Sequence, residues 1–139
     1  MFTSGRAYMR ARGGGRIINI NAVYGEYPDP TFFATSVNRA ACLSFTKTLA
    51  IQLASENILV NSVNPGFVVT PQWKNIHRRR APEISEEEFF RRMADKEIPL
   101  GRFGRPHEVA GMVVFLASDR ATYVTGASVD VAGGMGKYV

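Results

Sequence analysis

Cysteine is close to absent: Cys42 is the only one in 139 residues. A disulfide framework and a cysteine-based metal site are therefore excluded, and a cytoplasmic home fits. Histidine is nearly as scarce. His77 and His107 stand far apart with no carboxylate companion at ligand spacing, so no metal site is expected. No run approaches the ~18 consecutive apolar residues of a membrane-spanning helix, so no membrane partner is expected. The first residues, Met1 to Arg6, hold no apolar signal core, which argues against secretion. Internal repeats and low-complexity segments are missing too.

What is present is ordinary for a globular chain: 45% hydrophobic and 21% charged residues. The length allows one domain with a modest core. A net charge of +5 concentrates in Arg10, Arg12 and Arg16 and in the run Arg78-Arg79-Arg80. Glu86-Glu87-Glu88 follows that run closely and is expected to neutralise it locally. A nucleic-acid surface would interleave a basic stripe with aromatics. No such stripe occurs, so no nucleic-acid partner is expected.

Residues 1 to 12 read as the end of a helix that Gly13-Gly14-Gly15 stops. Arg16 to Asn21 is short, apolar and β-branched, as a buried strand is. Gly25, Pro28 and Pro30 mark a loop. From about Thr31 to Ser55 no glycine or proline intervenes, and a helix is expected. Val37, Ala41, Phe45, Leu49 and Leu53 form one apolar stripe along it; Ala40, Leu43, Ala50, Ile51 and Ala54 form a second. A helix apolar on two sides is usually buried on two sides. One side is expected against a sheet, the other against a neighbour such as a second subunit.

Asn57 breaks this helix, and Ile58 to Asn64 reads as a second strand ended by Pro65-Gly66. The polar segment 71–99 holds one or two helices, one at about 85 to 96, where Ser85 and Glu88 form a capping-box pattern. Pro106 to Ser118 is a helix with proline at its start and Val109, Met112, Val113 and Leu116 facing inward. Ser128 to Val131 is the last strand, followed by a Gly133-Gly134 turn. The order α-β-α-β-α-β with apolar strands predicts an α/β fold with a parallel sheet and right-handed crossovers. With about three strands, the first is an open edge unless something covers it.

Several segments together resemble the short-chain dehydrogenase/reductase family. Gly15 to Ile20 resembles that family's central strand. Asn61-Ser62-Val63-Asn64-Pro65-Gly66 is similar to its N-x-V-x-P-G strand and turn. Arg102-Phe103-Gly104-Arg105-Pro106-His107-Glu108-Val109-Ala110 is similar to its R-x-G-x-P-x-E-V-A segment. Phe115-Leu116-Ala117-Ser118 and Tyr123-Val124-Thr125-Gly126 match its tail. The resemblance spans almost the whole chain. It implies the C-terminal part of a Rossmann-type doubly wound sheet, with residues 1–139 as a single partial domain and 71–99 as a substrate-lid-like insertion. It places Met1 inside the helix before the family's fifth strand. No G-x-x-x-G-x-G follows a strand here, so the turn that holds the cofactor pyrophosphate at a helix N-terminus is not among these residues.

The resemblance also implies where the chemistry would sit. The family's tyrosine, a general acid/base whose pKa a lysine four residues later lowers, falls at Thr35, and the lysine at Arg39. The serine that binds the carbonyl oxygen falls at Ala22. The lysines are Lys47, Lys74, Lys96 and Lys137, and none follows a tyrosine at the Y-x-x-x-K spacing. An aliphatic hydroxyl is far too weak an acid to replace a phenol near neutral pH. Arg39, a permanent multi-donor cation, is suited to ribose hydroxyls or a phosphate. Asn21, beside the lost serine position, offers a hydrogen-bond donor, and Tyr24 and Tyr27 lie in the same loop as surrogate phenols. Pro65, Gly66, Val68 and Thr70 match the turn that meets the nicotinamide, with backbone groups at Val68 and a hydroxyl at Thr70.

The implied function is an NAD- or NADP-linked oxidoreductase of the 3-oxoacyl-reductase type, acting on a small-molecule substrate, with catalysis impaired or lost. It resembles divergent members of the family that lack the usual catalytic residues. The alternative is a non-catalytic oligomerisation or binding module built on the helix over 31–55, as a homo-oligomer. A start inside a longer gene is a third expectation. Trp73, Ile76, Phe89, Phe90 and Met93 either line an apolar pocket or pack the lid helices, the second being favoured.

Overall fold

A computed structural model describes residues 2–136. Met1 and Lys137 lie outside the described residues. Helix α1 (Phe2–Ala11) ends where Gly13 turns left-handed at φ 79°, and the Gly14 N–H returns to the Met9 carbonyl at 3.0 Å. Such a bond engages a carbonyl that the helix end leaves over. Strand β1 (Gly15–Ile20), helix α2 (Phe33–Leu53) and strand β2 (Ile58–Pro65) follow. Helices α3 (Pro71–Arg80), α4 (Glu86–Glu97) and α5 (Pro106–Ala117) precede the last strand, β3 (Ser128–Val131).

The sheet runs β1-β2-β3, with both pairs parallel. Central β2 is buried along its length up to Pro65. Its alternate side chains serve two layers. Ile58 and Val60 meet Leu49, Ala50 and Leu53 of α2, while Val63 meets Leu116 of α5. Removing one such aliphatic side chain from water contributes about 1.5–3 kcal/mol. Strand β1 is an edge, as expected, and its Ile20 is 51% exposed. Asn61 ties β2 to the segment before β3: it donates to the Val124 carbonyl at 2.8 Å and accepts from the Ala127 N–H at 3.0 Å.

The face of α2 that meets the sheet differs from either expected stripe. Its buried residues are Ser36, Thr46, Ala50 and Leu53. Two hydroxyls can be buried there because each has a partner. Asn19 of β1 donates to Thr46 Oγ1 at 2.8 Å, and Thr46 in turn donates to the Cys42 carbonyl at 2.8 Å. Ser36 Oγ accepts from the Asp29 N–H at 3.2 Å. The rest of the two stripes divides: Leu49 packs on Ile58 and Val60, whereas Val37 is 56% and Ile51 81% exposed.

Segment 71–99 forms two helices. Ser85 caps α4 by accepting the Glu88 N–H at 3.1 Å. The expected neutralisation of Arg78-Arg79-Arg80 does not occur. Glu86 pairs with Lys74 at 3.3 Å, and Glu88 binds Arg91 at 2.9 Å and Arg92 at 2.7 Å. Helical neighbours three and four residues apart reach Glu88 first, and the arginine run is left exposed.

Candidate active site

The chain leaves β2 through Pro65-Gly66 and stays extended towards Thr70. A Cβ on Gly66 would lie 2.9 Å from the Cα of Ala132, so only glycine lets the turn approach the end of β3 this closely. Beyond it, Val68 and Gly104 form an isolated parallel bridge. The Gly104 N–H donates to the Phe67 carbonyl, and the Val69 N–H to the Gly104 carbonyl, each at 2.9 Å. Successive residues of an extended chain point their backbone groups to opposite sides. The Val68 N–H and C=O therefore face away from Gly104, unengaged by the bridge.

Thr70 is the N-cap residue of α3, yet its side chain makes no capping bond. The hydroxyl is left available on the wall of a cleft of about 310 Å³ lined by Pro65, Gly66, Val68, Thr70, Trp73, Pro106 and Val109. Expected residues Pro65, Gly66, Val68 and Thr70 thus come together at one site. Glu108 fixes the helix on the far side of the cleft. It accepts the Arg105 N–H at 2.7 Å and a two-pronged Arg102 guanidinium at 2.9 and 2.7 Å.

Ala22, Thr35 and Arg39 are not in the lining of that cleft. Ala22 is extended, at φ −162° and ψ 154°, just past β1. Thr35 and Arg39 lie one turn apart on α2, both half-buried. The Arg39 guanidinium donates to the Ile20 carbonyl at 3.3 Å. Asn21, only 5% exposed, donates its amide to the Arg39 backbone carbonyl at 3.1 Å. The expected donor at Asn21 is therefore engaged. What Asn21 retains is an acceptor, Oδ1, buried and without a hydrogen-bond partner. Tyr24 stacks on Phe32 at 4.7 Å. Burial first, then the carboxylates of Asp29 and Glu97, push its phenol well above its ordinary range. This is the wrong direction for a surrogate acid at neutral pH.

A family model described as enoyl-(acyl carrier protein) reductase matches residues 1–136. The chain belongs to the short-chain dehydrogenase/reductase family. It is 41% identical over 128 residues to the 3-oxoacyl-[acyl-carrier-protein] reductase FabG of Thermotoga maritima, a match covering 92% of this chain and 48% of that protein. Among solved structures, L-sorbose reductase from Gluconobacter frateurii, complexed with NADPH and L-sorbose, superposes with a TM-score of 0.84 at 37% identity, covering 96% of this chain and 52% of that one. The NADPH-bound short chain oxidoreductase from Pseudomonas aeruginosa PAO1, described as containing an atypical catalytic center, superposes at 0.83 with 31% identity, covering 94% and 49%. The chain spans about half the length of the relatives it matches, 48% in the first case. The fold is Rossmann-type α/β.

For this family member, sequence reasoning missed two walls of the cleft, Pro106 and Val109. Their signal was the R-x-G-x-P segment, whose Gly104 bridges to Val68. Packing, the favoured reading for Trp73, holds against Phe67 and Phe103, while the residue also lines the cleft. Phe90 and Met93 do belong to the apolar cluster around Phe67 and Phe103, and the buried Phe89 packs beside them on Phe90 and His77. A larger cavity, about 760 Å³, opens between loop 23–30, the end of α4 and the turn at 134–136. None of the family-matched positions lines it, so volume is a poorer guide here than the matched turn. Among the described residues, no cluster of His, Cys, Asp or Glu could hold a metal, and no helix is long and apolar enough to cross a membrane.

Proposed function

We propose that this chain provides the nicotinamide-facing part of an NAD(P)-linked reductase domain of the 3-oxoacyl-reductase kind, with proton transfer impaired. One observation carries the reading. The Val68 backbone groups, left unengaged by the bridge, and the Thr70 hydroxyl, which makes no capping bond, belong to residues that line one cleft at the C-terminal end of β2. Parallel α/β sheets bind ligands at that end. A carboxamide needs a donor and acceptors side by side, and Val68 and Thr70 offer both. A bound nicotinamide supplies a hydride there.

The chain's own residues account for the impaired half of the reading. Ala22 has no group to bind a carbonyl oxygen. Thr35 is too weak an acid, and Arg39 is a permanent cation whose guanidinium reaches the end of β1. It can orient a hydroxyl or a phosphate but does not exchange a proton near pH 7. The substrate would be a small carbonyl compound under an α3–α4 lid, and the cofactor NAD or NADP, which share the nicotinamide that this cleft would meet. A cytoplasmic location accompanies the reading.

The outward α2 surface supports an assembly role alongside it. Phe33, Val37 and Ile51 are 74%, 56% and 81% exposed, which suits a homo-oligomer formed through this helix.

The test is titration of the chain with reduced nicotinamide mononucleotide, followed by calorimetry. Binding is expected, and Thr70→Val should weaken it about two- to tenfold, the value of one lost hydrogen bond. Turnover of a ketone panel with NADH or NADPH should stay at the buffer level. No binding at about 1 mM ligand would remove the cofactor reading, and turnover would remove the impairment.

A further inference from the structure

We propose that Trp73 is the specificity-determining wall of this cleft, and that the carbonyl compound admitted beside it carries an apolar, flat substituent, not a polyhydroxylated one. The inference rests on the cofactor reading above and adds the substrate class.

Trp73 is the chain's single tryptophan and stands in the first turn of α3. Its position is fixed from two sides. Phe103 meets it edge to face, with ring centroids 5.2 Å apart at 89°, and Phe67 lies tilted against it at 4.5 Å. Both of those phenylalanines are buried, at 6% exposure each. Rings pinned in this way have few rotamers left, so the indole is a rigid surface. Trp73 itself is only half-buried and lines the cleft together with Val68 and Val109. The other aromatics of this region, Phe89 and Phe90, lie outside the lining. The cleft wall is therefore one fixed aromatic plane among aliphatic side chains.

Polar side chains in the lining decide the substrate class. Among the described residues of the lining only Thr70 and the single indole N–H of Trp73 offer polar side-chain groups, and the cofactor reading assigns the Thr70 hydroxyl to the nicotinamide amide. A sugar-like ketone would bring several hydroxyls out of water with at most that one N–H left to receive them. An aryl or alkyl ketone loses nothing of that kind and gains contact with the indole.

The experiment uses the intact chain with reduced nicotinamide mononucleotide, then acetophenone and L-sorbose as probes. Quenching of Trp73 emission by the reduced nicotinamide, with transfer to its fluorescence, is expected, since the ring and the ligand share one cleft. Acetophenone should bind the nicotinamide-loaded chain at least tenfold more tightly than L-sorbose, measured by saturation-transfer NMR. Trp73→Ala should weaken acetophenone at least fivefold, and by a larger factor than it weakens the reduced nicotinamide. Trp73→Phe, which keeps an aromatic ring against Phe103, should retain most of the affinity and controls for loss of packing. Equal binding of the two ketones overturns the proposal, as does an unchanged acetophenone affinity in Trp73→Ala. Either result leaves the cofactor reading standing if the nicotinamide still binds. Failure of the nicotinamide to bind the unmodified chain overturns both.

Discussion

Asn21 and Arg39 brace the junction of β1 and α2. The Asn21 amide donates to the Arg39 carbonyl at 3.1 Å, while the Arg39 guanidinium reaches back to the Ile20 carbonyl at 3.3 Å. The brace holds Arg39 against the end of β1. It is also incompletely satisfied, because Asn21 Oδ1 has no partner. Asn21→Ala removes one hydrogen bond and one orphan acceptor together. The two effects oppose each other, and the net cost is expected at about 1 kcal/mol or less. Urea denaturation measures it. A loss above about 2 kcal/mol would mean that Oδ1 is bonded in solution.

Gly66 owes its place to packing as much as to the cleft. A side chain there meets Ala132 at 2.9 Å, where backbone and side chain both stand in the way. Gly66→Ala should destabilise the chain by about 1–3 kcal/mol, read as a lowered thermal midpoint. Nicotinamide affinity should fall with it, because the turn would move away from β3. An unchanged midpoint would show that the β3 end yields freely.

Glu108 predicts an acid-sensitive step. Its hydrogen bonds, from Arg102 first and the Arg105 N–H second, hold its carboxyl down to about 2 from an ordinary 4.5. A carboxyl depressed by folding contributes stability that is present above its unfolded pKa. That contribution is lost as pH falls through the folded value. The thermal midpoint of the unmodified chain should therefore drop between about pH 4.5 and pH 2. Glu108→Gln should flatten the drop in that window. Parallel curves for the two proteins would show that Glu108 contributes nothing to acid stability.

The outward face of α2 makes a prediction about assembly. Val37→Lys with Ile51→Lys places charge on side chains that are 56% and 81% exposed. Folding stability should change by less than about 0.5 kcal/mol, as exposed substitutions do. Sedimentation velocity should show the unmodified chain associated and the double variant monomeric. A monomer in both cases removes this face as an assembly surface.

Local signals in the sequence were enough for the strands and helix ends. The β-branched runs at 17–20 and 58–63 favour strands; the second is buried, and the first, expected to be buried, is a half-buried edge. Ser85 and Pro106 mark helix starts because a cap or a missing N–H acts within one turn. The proposed loss of proton chemistry at Ala22, Thr35 and Arg39 rests on the same kind of signal: each is an identity at a position, and no folding changes what a side chain can ionise.

The tertiary structure decided which face of α2 meets the sheet. That face contains Ser36 and Thr46, which look like surface residues until Asn19, 27 positions away, supplies a partner for Thr46. It also decided that Glu88 serves Arg91 and Arg92, not the arginine run. The cleft itself came from neither segment alone. Gly104 bonds the neighbours of Val68 and thereby turns the Val68 backbone groups away from the bridge. Hydrogen-bond direction across 36 residues of sequence is a property of the folded chain, and no local pattern of residue types encodes it.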